Sequence, residues 1–69
     1  MSTLKINGSE RDFPEGLPAT LAGLLDELQV NAATVVAEID GQIVPQAKFD
    51  ETSLTDGQQI ELVRFVGGG

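Results

Sequence analysis

Apolar and polar residues alternate near the start of the chain in Leu4-Lys5-Ile6, and Asn7-Gly8 and the stretch from Ser9 to Phe13 follow. Period-two alternation marks a half-buried strand. Asn-Gly after it signals a hairpin, because a type I′ turn needs positive φ at both central positions. The pattern predicts two antiparallel strands, the second ended by Pro14 and Gly16. The period then changes. Leu21, Leu24, Leu25 and Leu28 recur at i, i+3, i+4 and i+7 behind Thr20, a good N-cap residue. A helix is expected there, ending near Gln29 to Asn31, with Asp26 and Glu27 off the leucine stripe and facing water. Gly23 inside a helix costs about 1 kcal/mol against Ala, so a close approach to the sheet is expected at that point.

Beyond the helix, Val35, Ala37 and Ile39 alternate against Val36, Glu38 and Asp40, and Asp40-Gly41 supplies another turn. Gln42-Ile43-Val44 makes a short return closed by Pro45, which donates no ladder hydrogen bond and so suits a sheet edge. Residues 46–55 read as irregular, with Phe49 and Leu54 plugging the core. After Asp56-Gly57, Gln59 to Val66 reads as the last strand. The order is ββα, then β, a short β and a final β, an α+β arrangement.

The parity of that last strand breaks. Ile60 and Leu62 share the core face with Glu61 outward, yet Val63 and Phe65 then fall on the Glu61 face and Arg64 on the core face. A bulge resets such a register. Alternatively, the strand leaves the sheet there and presents Val63 and Phe65 to a partner, with Glu61 steering the approach, since Phe is enriched in interface cores. A third reading packs both side chains under the 46–55 segment.

Composition narrows the function. Sixty-nine residues, 41% of them apolar, make one domain rather than a disordered segment. No apolar run approaches the ~20 residues that span a bilayer, and no basic-then-apolar leader opens the sequence, so a cytoplasmic protein is expected. Eleven acidic residues against four basic ones give net charge -7. That balance opposes nucleic acid, which is bound through Lys and Arg, and favours partners with basic surfaces. Neither Cys nor His is present, which removes the thiolate nucleophile, the imidazole base and the usual transition-metal ligands. Ser9, Thr20, Ser53 and Thr55 lack a nucleophile elbow or partner base. Glu38 with Asp40, and Asp50 with Glu51, read as solvated acidity. No enzyme and no bound cofactor are expected.

The sequence closes on Gly67-Gly68-Gly69, a flexible tail beyond a domain of residues 1–66. Gly loses the most freedom on ordering, so three in a row are a poor way to finish a strand for stability. Extended, they reach about 10 Å and carry no side chain to clash, so they suit a narrow channel in another protein. The reactive group delivered there is the α-carboxylate of Gly69, a poor electrophile until ATP converts it to a mixed anhydride.

From "NG" at 7–8 through "TLAGLLDEL" to "EIDGQIVP" and "DGQQIELVRFVGGG", the chain resembles the ThiS family of sulfur carriers in thiamine biosynthesis. The most specific stretches are "IVP" at 43–45, "DG" at 56–57 and the "VGGG" ending. After "IVP" the family more often has Arg and then Trp, where this chain has Gln46 and Phe49. The resemblance implies a ubiquitin-like β-grasp fold, a mixed sheet of four to five strands wrapped over one main helix. It implies that an E1-like (ThiF-type) enzyme uses ATP to adenylate Gly69, the last residue of a terminal pair with Gly68. A sulfur donor protein then yields a thiocarboxylate, and a ThiG-type thiazole synthase takes the sulfur. Rival readings are a molybdopterin-synthase small subunit, a carrier for tRNA thiolation, a ubiquitin-like protein modifier and a plain binding module. The tail does not separate carrier from modifier, since both begin with the same acyl-adenylate.

Overall fold

A computed structural model describes residues 2–65. The chain forms β1 (Ser2–Ile6), β2 (Ser9–Phe13), α1 (Leu21–Glu27), β3 (Val35–Ile39), β4 (Gln42–Val44) and β5 (Gln59–Arg64). Short 3₁₀ turns occupy Ala32–Thr34 and Gln46–Lys48. Both predicted two-residue hairpins are present. Asn7 and Gly8 take φ of 50° and 83°, and Asp40 and Gly41 take 50° and 85°, the positive values that a type I′ turn requires.

The five strands lie in the order β2-β1-β5-β3-β4. β1 and β5 run parallel, and the other neighbours run antiparallel. The chain crosses from β2 to β3 through α1, which covers one face of the sheet. Leu21, Leu24 and Leu25 are buried from the helix, with Leu4, Ala37 and Ile60 from the strands and Phe13, Val35 and Phe49 around them. Complete burial of each large apolar side chain contributes about 1.5–3 kcal/mol, so the leucine stripe dictates which sheet face turns inward.

The helix is closed at both ends by groups the leucine pattern does not reveal. Thr20 Oγ1 accepts from the Gly23 N–H at 3.1 Å, as expected of an N-cap. The two preceding N–H groups are met by the 46–55 segment: Leu21 donates to Thr52 O at 2.8 Å and Ala22 to Phe49 O at 2.9 Å. That segment is therefore more ordered than an irregular loop. Phe49 is buried within it, and Leu54 packs partly buried against the core.

Two expectations need correction. The helix ends at Glu27 with Leu28 as its cap, earlier than Gln29 to Asn31. Gln29 takes φ of 61°, its N–H bonds to Asp26 O, and Val30 N–H reaches back to Leu25 O at 2.9 Å. This is a Schellman closure with Gln where Gly is usual. Gly23 does not approach the sheet either. A Cβ there would meet Pro18 Cβ at 3.5 Å and Thr20 Oγ1 at 3.6 Å, both ordinary contacts.

Candidate functional site: the outer sheet face and the end of strand β5

Strand β5, which leads toward the glycine tail, lies in the middle of the sheet, and three Asx side chains fasten it or the turn before it. Asp56 Oδ1 accepts from Thr3 N–H at 2.7 Å, and Gly57 N–H returns to Thr3 O at 2.7 Å, which holds the turn before β5 against β1. Asp40 Oδ1 accepts from Gln59 N–H at 2.9 Å, while Asp40 N–H donates to Gln59 O at 2.8 Å. At the far end, Asn7 Oδ1 accepts from Leu62 N–H at 2.7 Å and Asn7 Nδ2 donates to Leu62 O at 3.2 Å. The sequence marks all three as turn residues; only the fold brings their side chains to neighbouring backbone.

The pairing of β5 with β3 answers the parity question. Ile39↔Ile60, Ala37↔Leu62 and Val35↔Arg64 pair on the helix side, and Glu38↔Glu61 and Val36↔Val63 on the outer side. Register is unbroken through Val35↔Arg64, so no bulge resets it and the strand does not leave the sheet at Val63. Phe65 continues the ladder, its N–H donating to Thr34 O at 3.0 Å. Val63 is 60% exposed and Phe65 46%, so neither packs beneath residues 46–55. Glu61 is exposed on the same outer face. Arg64 falls on the helix side, as its parity requires. It stays exposed and borders a depression of about 450 Å³ floored by Ile6, Leu28, Val30, Val35 and Leu62. Gly68 and Gly69 lie outside the described residues.

Two further residues join this surface only through register. Val36, 39% exposed, sits directly opposite Val63, and half-buried Glu38 sits directly opposite Glu61. Read along its own strand, Glu38 is ordinary surface acidity. Across the sheet it forms a like-charge pair, an arrangement that destabilises. Ile43 of the edge strand β4 is opposite Glu38 on its other side and is 66% exposed. The outer face thus carries an apolar ridge of Val36, Val63 and Phe65 beside two facing carboxylates. Such an arrangement suits binding a partner with apolar and basic side chains. Among the described residues, no helix is long and apolar enough to cross a membrane.

A mixed five-stranded sheet with β1 and β5 parallel at its middle, laid over one helix, defines a ubiquitin-like β-grasp protein. The crystal structure of the thiamine biosynthesis protein ThiS from Geobacter metallireducens superimposes with a TM-score of 0.84 at 31% identity, covering 97% of this chain and 99% of that one. The ThiS family model matches residues 4–69, and the chain belongs to the ThiS family. The sulfur carrier protein ThiS of Bacillus subtilis is 32% identical over 66 residues, covering 96% of this chain and 98% of that protein. A thiazole synthase of Paramagnetospirillum magneticum is 39% identical over 66 residues, and there the chain spans 20% of the relative's length.

Proposed function

We propose that this protein is a sulfur carrier for thiamine thiazole synthesis, with the Gly69 carboxylate as its reacting group. The observation that carries the reading is the family match, which runs through the glycine ending to residue 69. In the proposed cycle a carboxylate oxygen of Gly69 attacks the α-phosphorus of ATP in an E1-like, ThiF-type enzyme, and pyrophosphate leaves. A persulfide on a donor protein then displaces AMP from the acyl carbon, and a thiol cleaves the S–S bond of the resulting acyl disulfide, which frees the thiocarboxylate and leaves a disulfide on the donor. The thiocarboxylate enters a ThiG-type synthase, which takes the sulfur. A thiazole synthase that includes a segment similar to this chain supports pairing with that enzyme. The carrier itself supplies no catalytic group and no cofactor; ATP belongs to the activating enzyme. A cytoplasmic location, where ATP is available to the activating enzyme, is part of this proposal.

Docking is assigned to Val63, Phe65 and Glu61, extended by the facing Val36 and Glu38. Net charge -7 favours a basic partner surface and speeds encounter with it. The test is intact mass after incubation with a ThiF-type enzyme, ATP and a sulfur donor. The expected product carries sulfur in place of one terminal oxygen, and deletion of Gly69 or one appended residue abolishes it. Equal adenylation of a C-terminally extended chain would end the proposal, and isopeptide conjugates to lysine would move the protein to the modifier class.

A further inference from the structure

Strand β1 stops too early for the job β5 has to do. The parallel ladder between them contains Lys5↔Gln59 and Ile6↔Ile60, with Lys5 N–H donating to Gln58 O at 3.0 Å and Asn7 N–H to Ile60 O at 2.9 Å. In a continuing parallel ladder, the carbonyl of residue 7 would accept from Leu62 N–H and the N–H of residue 9 would donate to Leu62 O. The backbone is not there to do so, because Asn7 takes φ of 50° and turns into β2. Its side-chain amide supplies both bonds instead, at 2.7 Å and 3.2 Å. A primary amide carries a carbonyl acceptor and N–H donors side by side, so one side chain makes both bonds. Asn also tolerates positive φ better than most residues. Asp would set a second acceptor against Leu62 O, and Gly would keep the turn but lose both bonds.

We infer that Asn7 is a positioning residue for the reaction at Gly69: its amide extends the two-sided grip on β5 to Leu62 and so sets the direction in which the strand leaves the sheet. Among the described residues, that amide is the last tie from the β1 side. Beyond it, β5 is paired on the β3 side alone, through Val63, Arg64 and Phe65. One-sided pairing leaves the strand free to tilt about that ladder. Three extended residues from Leu62 to Phe65 span about 10 Å, so a tilt of about 10° displaces the end of the described strand by about 2 Å. Misplacement on the order of 1 Å can cost a reaction about 100-fold. The docking residues lie on the outer face and do not touch the amide's bonds, so aim and affinity are separable. The inference rests on the carrier reading above.

The experiment uses the full-length chain with Asn7→Gly, in a background raised in Tm by Gly23→Ala and Gln29→Gly, two helix substitutions away from β5. Steady-state ATP–pyrophosphate exchange with a ThiF-type enzyme gives kcat and KM for the carrier, and amide hydrogen exchange follows Leu62 N–H. With Tm restored to the wild-type value, the expected result is faster exchange at Leu62. It comes with kcat lowered on the order of 100-fold and KM within about two-fold, a change too small to report a docking contact. Recovery of kcat together with Tm would show that Asn7 only stabilises the fold, and would overturn the inference. So would a loss confined to KM. A wild-type chain that supports no exchange at all fails differently: it removes the carrier reading, whatever Leu62 exchange shows.

Discussion

Replacing Glu61 by Gln should make the protein more stable and less able to meet its partner. Glu61 faces Glu38 across the β3–β5 ladder. Phe65 N–H to Thr34 O and Asp40 N–H to Gln59 O mark every second pair as hydrogen-bonded, which places Glu38 and Glu61 in such a pair. Its Cα separation is about 5.5 Å. Two unit charges that far apart in water repel by about 0.75 kcal/mol. A Debye length of about 10 Å at 0.1 M salt reduces this to about 0.4 kcal/mol, and about 3 Å at 1 M reduces it to about 0.1 kcal/mol. Lys5 lines a depression together with Glu38 and Glu61 but, among the described residues, forms no ion pair with either carboxylate. Glu61→Gln should therefore raise the urea midpoint by a few tenths molar at unchanged m, given m of about 1 kcal/mol/M. The corresponding gain in Tm is about 2–3 °C for a domain of this size. The gain should fade in high salt. In stopped-flow mixing with the activating enzyme, the same variant should associate several-fold more slowly and with a weaker salt dependence. Destabilisation by Glu61→Gln, or a salt-independent gain, would refute the assignment of the pair as repulsive. An unchanged association rate would remove Glu61 from the docking surface.

The remaining expectations concern the helix, the aromatic anchor and the tail. Gly23→Ala should stabilise by up to about 1 kcal/mol, because its Cβ meets only ordinary contacts and the helix gains propensity; a loss on thermal unfolding would mean that the space beside Pro18 is tighter than it stands. Phe65→Ala should weaken partner binding by about 2 kcal/mol while costing the free domain clearly less than Phe13→Ala, which removes a ring only 5% exposed and should cost about 3–5 kcal/mol; calorimetric titration and denaturation of both variants check the contrast, and equal losses of stability would contradict the anchor. Gly68→Val should abolish adenylation by restricting the backbone and filling a narrow channel, with Tm unchanged; a parallel loss of Tm would show that the tail packs on the domain.

Periodicity alone determined most of this fold. The leucine stripe, the two hairpin dipeptides and the alternation of Val35, Ala37 and Ile39 are local signals, and each reports a backbone conformation or a buried face that neighbouring residues settle among themselves. The glycine ending is equally local and points only to a reacting terminal carboxylate, while the carrier reading rests on the resemblance along the whole chain. Two readings failed even though their causes are local, because neither follows from the leucine period. Gly23 was read against the sheet, yet its neighbours are Pro18 and Thr20, and Gln29 ends the helix in a conformation usually left to Gly. Pairing across the sheet decided the rest. Residues 3 and 7 meet residues 56 and 62 only after the chain has passed its helix, and residue 40 meets residue 59 only when β5 pairs with β3. Glu38 becomes a charge facing a charge, Val36 joins the docking ridge and the Asn7 amide becomes a rung of the ladder. Strand order and register are properties of distant segments brought to about 5 Å, and no spacing along one strand encodes the identity of the residue opposite.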